Sequence, residues 1–388
     1  MKLSKLGESM AGQPMFKILE RAQELERSGR TIYHFELGEP DFDTPSNISA
    51  VAIEAIKAGN THYTPSSGLY ELKKAAAEAT ARSRGFLPSI SQILVTPGAN
   101  SIIYLTIKCV VNPGEEVIVP DPGFPTYFSA IEACGAKAVG VRVKQENGFS
   151  ISPEDIEKAI TPNTRLLILN SPSNPTGGVV SQKDLIAIAM LCEKHNIFLL
   201  SDEIYGRLVY ADNEFYSPAS YDKCLKRTII INGFSKAFAM TGWRLGVAIG
   251  PELIIEKMGL LLSTIVSCVP PFVQLAGIEA INGNQDQSKY MKNEYERRTR
   301  YLVKGLNALP GVSCNMPKGA IYAFADITKT GMTSNEFSEF SLEKAGVAVT
   351  PGNFFGSYGE GFVRFSAVQS TAVIGKALKA LRGAMTNE

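Results

Sequence analysis

Short apolar runs alternate with longer stretches of helical periodicity through the middle of the chain. Residues 117–119, 166–169, 197–200 and 228–231 are rich in β-branched side chains, and this composition predicts strands buried on both faces. Between two of these runs, residues 185–195 carry apolar side chains at helical spacing. Strands and helices that alternate along the chain predict an α/β fold with a mostly parallel sheet flanked by helices.

The two ends of the chain follow a different pattern. Residues 11–29 predict a helix that ends at Gly29, and the stretch from Gly38 to Pro45 is rich in turn residues. After about residue 285, a long charged helix precedes a shorter mixture of strands and helices. We therefore predict a large domain over residues 46–284 and a smaller α+β domain built from residues 1–45 and 285–388.

Charge and composition exclude several classes of function. The 388 residues include 39 Lys and Arg against 38 Asp and Glu, for a net charge of +1, so we expect neither a nucleic-acid nor a membrane partner. The N-terminus lacks the apolar segment of a signal peptide, and a cytoplasmic protein is expected. The six cysteines and three histidines have no metal-ligand spacing, so no metal is expected either.

Two predicted strands lead into segments that suit a phosphate and a rigid amide. Residues 93–96 lead into Pro-Gly-Ala-Asn and then into a predicted helix, whose free backbone N–H groups and dipole favour an anion. Residues 166–169 lead into a loop with two prolines and two glycines, which presents Asn174 as a fixed side chain. Taken alone, each segment is also compatible with a plain turn.

Two further strands end at side chains that are costly to bury. Residues 197–200 lead into Asp202, which could equally be a helix cap. Residues 228–231 lead into Lys236. Lysine is rarely buried, and a lysine after a core strand is a candidate for a catalytic amine. Ligands collect at the carboxyl ends of parallel strands, so these four segments are expected to meet at one edge of the sheet. Together they suit a ring that carries a phosphate, a basic nitrogen, a phenolic oxygen and an aldehyde.

With these segments in place, the chain resembles the class I and II aminotransferases, which are pyridoxal-phosphate enzymes of fold type I. The resemblance extends over nearly the whole length, and the segment around Lys236 is its most specific part. Six segments carry it in order: residues 37–45 (LGEPDFDTP), 63–68 (YTPSSG), 174–177 (NPTG), 202–205 (DEIY), 235–244 (SKAFAMTGWR) and 362–366 (FVRFS).

The resemblance implies a role for each matching residue around the cofactor. Lys236 would carry pyridoxal 5′-phosphate as a Schiff base and act as the catalytic base. Asp202 would pair with the pyridine nitrogen. The remaining cofactor contacts would be Asn174 and Tyr205 at the phenolic oxygen, Phe124 on the ring face, and Gly98, Ala99, Asn100 and Arg244 at the phosphate.

The resemblance also implies how substrate and a second subunit are held. Arg364 would bind the substrate carboxylate through two parallel hydrogen bonds, with Asn174 beside it and Gly38 in close approach. Tyr63 would reach the phosphate of the neighbouring subunit, which implies a homodimer with shared active sites. The expected reaction is the transfer of an amino group between an L-amino acid and a 2-oxo acid by ping-pong chemistry.

The chain departs from the family pattern at three points. Phe124 and Gly233 stand where many relatives have tryptophan and a serine or threonine, respectively. No arginine for a distal substrate carboxylate can be assigned, and Lys17 and Lys108 are the remaining candidates. The preference for acidic substrates therefore stays open at this point.

A lyase or racemase that uses the same cofactor on the same fold remains the alternative, because the residues identified so far are common to all of these enzymes. A ligand-sensing regulator with this fold would carry a fused DNA-binding domain. The pattern leaves no room for one, so an enzyme is expected.

Overall fold

The computed structural model describes residues 2–9, 15–211 and 213–386. A seven-stranded sheet forms the centre of the fold, and its strands are β2 (Ile93–Thr96), β3 (Glu116–Asp121), β4 (Lys137–Arg142), β5 (Thr164–Asn170), β6 (Phe198–Asp202), β7 (Thr228–Gly233) and β8 (Gly246–Ile249). Their order is β2-β8-β7-β6-β5-β3-β4, and β8 runs antiparallel to both of its neighbours. The predicted α/β fold with a mostly parallel sheet is confirmed.

The central strands are apolar throughout because both of their faces are covered. In β5, Leu166 and Ile168 pack into one buried cluster, whereas Leu167 and Leu169 pack into another. Successive side chains of a strand point to opposite faces, so an unbroken apolar run satisfies two layers of helices at once. This explains why the sequence pattern identified these strands.

Helices cover the sheet on both faces and continue into the ends of the chain. They are α1 (Lys5–Ser9), α2 (Met15–Arg27), α3 (Ser46–Lys57), α4 (Tyr70–Arg84), α5 (Ala99–Val110), α6 (Pro125–Ala133), α7 (Pro153–Ala159), α8 (Gln182–Lys194), α9 (Ala219–Asp222), α10 (Glu252–Ile265), α11 (Pro271–Asn282), α12 (Asp286–Leu306), α13 (Ser334–Ala345) and α14 (Thr371–Thr386). On one face α5, α6 and α10 pack together, and on the other α7 and α8 do so. Within the described ranges, none of these helices is long and apolar enough to span a bilayer.

A smaller layer of strands comes from the two ends of the chain. Its strands are β1 (Tyr33–His34), β9 (Ser313–Cys314), β10 (Tyr322–Asp326), β11 (Val347–Ala348), β12 (Thr350–Pro351) and β13 (Phe362–Ser366). Strands β12, β13, β10 and β9 form an antiparallel sheet, and β1 pairs with β11 in parallel. This arrangement brings the segment after β1 beside β13, where Arg364 lies.

Two helix boundaries differ from the predicted ones. The helix predicted over residues 11–29 is α2, Met15–Arg27, and residues 11–14 of the prediction lie outside the described residues. The helix after β2 was predicted to follow the Pro-Gly-Ala-Asn segment, but it begins within that segment, at Ala99. Ala99 and Asn100 therefore belong to the first helical turn.

Candidate active site

A cavity of about 340 Å³ lies where the carboxyl ends of β5, β6 and β7 meet the smaller layer of strands. Most of the residues predicted for the site line it: Gly38, Ala99, Asn100, Phe124, Asn174, Asp202, Tyr205, Lys236, Arg244 and Arg364. Gly98 lies directly behind the lining, against the guanidinium of Arg244. Tyr63 does not line the cavity and is 88% exposed.

The start of α5 lies at one end of the cavity, beside the guanidinium of Arg244. Gly98 is the residue before the helix, has φ +82°, and provides no side-chain cap to the first turn. A Cβ at Gly98 would lie 2.4 Å from Arg244 Nη2, so only glycine lets the guanidinium approach the helix terminus. Arg244 Nη1 donates to the carbonyl oxygen of Thr241 at 2.9 Å. Free N–H groups, the helix dipole and a guanidinium together suit a phosphate.

Asp202 ends β6 at the floor of the cavity and is 5% exposed. Its Oδ2 accepts a hydrogen bond from the Tyr127 hydroxyl at 2.7 Å, and its Oδ1 accepts one from the Ile204 N–H at 3.2 Å. Burial raises the pKa of Asp202 to about 6, while the Tyr127 hydrogen bond opposes this shift. A buried carboxylate that lines a cavity is suited to pair with a protonated ring nitrogen.

Tyr127 links two of the predicted site residues and was missed by the sequence reasoning. It is fully buried on α6, and its hydroxyl donates to Asp202. Its ring also packs edge to face on Phe124, with 5.6 Å between the ring centroids. The two residues are one helical turn apart, so the sequence indicates that they are neighbours but not that the Tyr127 hydroxyl reaches Asp202.

Glu203 follows Asp202 and is also buried, but it makes a separate set of contacts. Its Oε2 lies 2.6 Å from Arg84 Nε, and its Oε1 accepts a hydrogen bond from the Ser201 hydroxyl at 2.9 Å. Arg84, at the end of α4, thus compensates the second carboxylate of β6. Because Glu203 has its own cation, Asp202 remains available to the cavity.

Arg364 lies on β13 at the other end of the cavity and is 2% exposed. Its Nη1 donates to Asn174 Oδ1 at 3.0 Å, and its Nη2 donates to the carbonyl oxygen of Glu36. Its Nε is buried and has no hydrogen-bond partner among the described residues. A buried guanidinium with an unused N–H beside a cavity suits a planar carboxylate, because the fork geometry of the two groups matches.

Lys236 reaches the cavity between these two ends. Its Nζ donates to the carbonyl oxygen of Gly38 at 2.6 Å. The backbone of Gly38 packs closely against Tyr322. A Cβ at position 38 would lie 2.0 Å from the hydroxyl oxygen of Tyr322. The lysine amine is thus held by the main chain at a position that any side chain on residue 38 would disturb.

Tyr205 and Tyr322 complete the wall beside Arg364. Their hydroxyl oxygens are 2.7 Å apart, and burial raises the pKa of Tyr205. The guanidinium carbon of Arg364 lies 4.5 Å from the centre of the Tyr322 ring, a cation–π contact. Sequence reasoning missed Tyr322, because it lies in an apolar strand segment with no adjacent polar residue.

An ion pair anchors the backbone that contacts both Lys236 and Arg364. Glu36 is fully buried, and its Oε1 lies 2.7 Å from His34 Nδ1. This hydrogen bond raises the pKa of His34 to about 9, with a smaller contribution from Glu26 on α2. A charged His34 therefore ties β1 to α2, whose first residues also line the cavity.

The other residues considered from the sequence are placed as follows. Ser235 lines the cavity next to Lys236, whereas Gly233 does not line it. Lys17 and Lys108 are both exposed and lie outside the cavity lining. Neither lysine is therefore positioned to contact a distal carboxylate of a substrate held in this chain's cavity.

Comparison with known proteins places this architecture among enzymes. The family model "Aminotransferase class I and II" matches residues 30–381. The chain is 38% identical over 374 residues to the aspartate aminotransferase of Pyrococcus horikoshii, covering 96% of this chain and 94% of that protein. It is 42% identical over 353 residues to aromatic-amino-acid aminotransferase 2 of Thermococcus litoralis, covering 90% of each.

Solved structures of aminotransferases also share this fold. The aspartate aminotransferase from Thermus thermophilus with maleate superposes on this structure with a TM-score of 0.95 at 35% sequence identity. The match covers 99% of this chain and 100% of that one.

Proposed function

We propose that this chain, which belongs to the class I and II aminotransferase family, holds pyridoxal 5′-phosphate in the cavity and divides the reaction among the residues described above. It is an aminotransferase that moves an amino group between an amino acid and a 2-oxo acid. The observation that carries the proposal is that Lys236 lines the same cavity as the buried carboxylate of Asp202 and the buried guanidinium of Arg364.

The residues present fit the cofactor at each of its polar groups. Gly98, Ala99, Asn100 and Arg244 would hold the phosphate, and the glycine at 98 leaves the space that this requires. Asp202 would hold the proton of the ring nitrogen, Asn174 and Tyr205 would donate to the phenolic oxygen, and Phe124 would cover the ring face. When bound, the cofactor supplies an aldehyde that takes up the amino group and a ring that withdraws electrons from the substrate α-carbon.

Arg364 and Lys236 position the substrate and move its proton. Arg364 orients the substrate carboxylate, with Asn174 Oδ1 and the carbonyl oxygen of Glu36 fixing the plane of the guanidinium. The Nζ of Lys236 then removes the proton from the α-carbon and holds it for return, as a general base followed by a general acid. The carbonyl oxygen of Gly38 keeps Nζ in place for both transfers.

Titration of the purified chain with pyridoxal phosphate tests the proposal. We expect a cofactor absorbance band that shifts to shorter wavelength when an amino acid is added and returns when a 2-oxo acid is added. After borohydride reduction, peptide mass mapping should locate the label on Lys236. A label on another lysine, or no band with excess cofactor, would contradict the assignment.

The Tyr127→Phe variant is expected to weaken cofactor binding by roughly tenfold to a hundredfold at neutral pH. It removes one hydrogen bond to a charged group, which contributes about 1.5–3 kcal/mol. In the unloaded chain Asp202 has a pKa of about 6, so its charge is lost as the pH falls through that value, and cofactor affinity should fall with it. Without the Tyr127 hydroxyl this pKa rises further, so the fall in affinity should begin at a higher pH.

Fluorescence titration of the unloaded variant with cofactor between pH 5 and 8 measures this shift. Tyr104→Phe is the matched control, because its ring packs on the same apolar cluster and Tyr104 does not line the cavity. An affinity profile that is lower at every pH but unshifted would indicate lost packing and not a hydrogen bond to Asp202.

We also propose that two copies of the chain form a homodimer with shared active sites. Tyr63 is 88% exposed, although it stands in the segment that implies a contact with the neighbouring cofactor. Large apolar side chains are exposed close to it in the sequence: Ile53, Ile56 and Tyr70. Exposed apolar groups of this kind mark interaction surfaces. Light scattering tests the dimer, which would have twice the chain mass of 42.0 kDa.

The remaining proposals concern organisation and location. We propose that residues 46–284 form the large domain and that residues 1–45 with 285–388 form the small one, in keeping with the two sets of strands. All six cysteines are free thiols, which supports the proposal that the protein acts in the reducing cytoplasm.

A further inference from the structure

Leu37 lies between the two main-chain groups that hold the key cations of the site. On one side, the carbonyl oxygen of Glu36 accepts a hydrogen bond from Arg364. On the other, the carbonyl oxygen of Gly38 accepts one from Lys236 Nζ at 2.6 Å. A substrate whose carboxylate is on Arg364 and whose α-carbon faces Lys236 therefore lies along residues 36–38, with Leu37 beside its side chain.

The first residues of α2 lie on the same side of the cavity as Leu37. Met15 and Phe16 line the same cavity as Leu37. Met15 is 3% exposed and packs with Leu37 into an apolar cluster that includes Phe324 and Phe355. Phe16 is 49% exposed, so its ring is at the mouth of the cavity. Leu37, Met15 and Phe16 are called the apolar wall below.

The charges near the apolar wall disfavour a second carboxylate on the substrate. Among the described residues that line the cavity, the cations are Lys236, Arg244 and Arg364, and each is assigned to another group of cofactor or substrate. The charged residues nearest to the wall along the chain are Lys17, which is exposed and lies outside the cavity lining, and two acids, Glu36 and Glu39. Glu39 lines the cavity, and its Oε1 accepts a hydrogen bond from Thr241 at 2.6 Å. In the sequence, residues 10–14 before Met15 contain no charged side chain.

We infer that the site takes amino acids with uncharged, apolar side chains, aromatic or aliphatic, in preference to dicarboxylic amino acids. This inference rests on the proposed function and concerns the substrate class of the same site. A substrate carboxylate placed against the apolar wall would lose hydration without gaining a cation, whereas an apolar side chain gains contact area there.

Pairs of amino acids that are matched in size test the inference. The rate constant for conversion of the bound cofactor is measured with methionine against glutamate and with leucine against aspartate. We expect kcat/KM to favour the neutral member by at least about tenfold, the lower end of what one apolar contact discriminates. Phenylalanine should react at least as well as methionine, because the mouth of the cavity is open at Phe16.

The Phe16→Arg variant provides a second measurement, because it adds a cation to the wall at a half-exposed position. The preference for methionine over glutamate should shrink by at least about tenfold, as the new charge pairs with the distal carboxylate. Ile186→Arg on α8 is the matched control, since this exposed residue lies outside the cavity lining. In the Ile186→Arg variant, the preference for methionine over glutamate should equal that of the unmodified chain.

The outcomes separate the two levels of the proposal. If no amino acid changes the cofactor band, the proposed function fails. If glutamate and aspartate react as well as or better than their neutral partners, transamination stands and the inferred substrate class is wrong. If the preference exists but is unchanged in Phe16→Arg, the placement of the substrate side chain on the apolar wall is overturned.

Discussion

Replacement of Lys236 by alanine is expected to lower kcat by at least about 10⁴-fold while the chain still binds the cofactor. General acid–base catalysis by a positioned side chain contributes roughly 10²–10⁴-fold, and in the proposed mechanism Lys236 would also form the covalent link that the reaction exchanges. Among the described residues, its Nζ donates to the carbonyl oxygen of Gly38, so alanine leaves one main-chain acceptor unpaired at the edge of a cavity that water can enter. Single-turnover measurements with an amino acid in excess give the rate.

Two observations distinguish lost chemistry from lost structure in this variant. Added methylamine should restore part of the activity, since a small amine can carry the missing proton within the vacated space. Lys183→Ala on α8 is the control, because this exposed lysine lies outside the cavity lining. Near-normal turnover by the Lys236→Ala variant would contradict the proposal that Lys236 moves the substrate proton.

The Arg364→Lys variant is expected to lower kcat/KM for amino acids by roughly 10²–10³-fold. Lysine keeps the charge but loses the planar fork, and disruption of a buried, hydrogen-bonded charge contact costs about 2–5 kcal/mol. Asn174 Oδ1 and the carbonyl oxygen of Glu36 also lose their shared donor, so the carboxylate would be held less firmly. Steady-state kinetics with one amino acid at several concentrations measure this effect.

A substrate without the carboxylate shows whether the loss arises at the expected contact. The unmodified enzyme should strongly prefer phenylalanine over phenethylamine, and the variant should lose most of that preference. Arg165→Lys is the matched control, because Arg165 pairs with Glu115 at the opposite end of β5 from the cavity. An unchanged preference in Arg364→Lys would mean that the carboxylate binds elsewhere.

The sequence was sufficient to predict those parts of the site that follow a strand end. Asp202 directly ends β6, and Lys236 follows β7 by a few residues, so the sheet order alone brings them to one edge. Arg364 could be anticipated only through the resemblance of its surrounding segment. Its burial beneath the loop that carries Asn174 depends on contacts between residues 190 positions apart.

Tyr127 and Tyr322 could not be predicted, for a shared physical reason. Each acts through a hydroxyl that reaches another element, Tyr127 to Asp202 and Tyr322 to Tyr205. In the sequence both occupy apolar positions whose periodicity indicates only burial. The partner of a buried hydroxyl is decided by packing between elements, which a local pattern does not record.

Two strands of the central sheet were not predicted from the pattern, each for its own reason. Strand β4 lies at the edge of the sheet, and Val141 is its only fully buried residue, so it has no continuous apolar run. Strand β8 is apolar but only four residues long, and its antiparallel direction is set by its two neighbours. An edge strand carries a weak pattern because much of its surface is not packed by the core. Strand β8 is buried throughout, and its four residues are too few to show a clear period.

The contacts of residues 36–38 also determine when the site can form during synthesis. Gly38 meets a residue 198 positions later, and Glu36 meets one 328 positions later. At roughly 5–20 residues per second, a ribosome needs about twenty seconds to a minute to reach Arg364 after it has made Glu36. Throughout that interval the growing chain can complete its central sheet but lacks Arg364, the residue that we propose for the substrate carboxylate. On this proposal, amino-acid recognition is among the last properties that the nascent chain acquires.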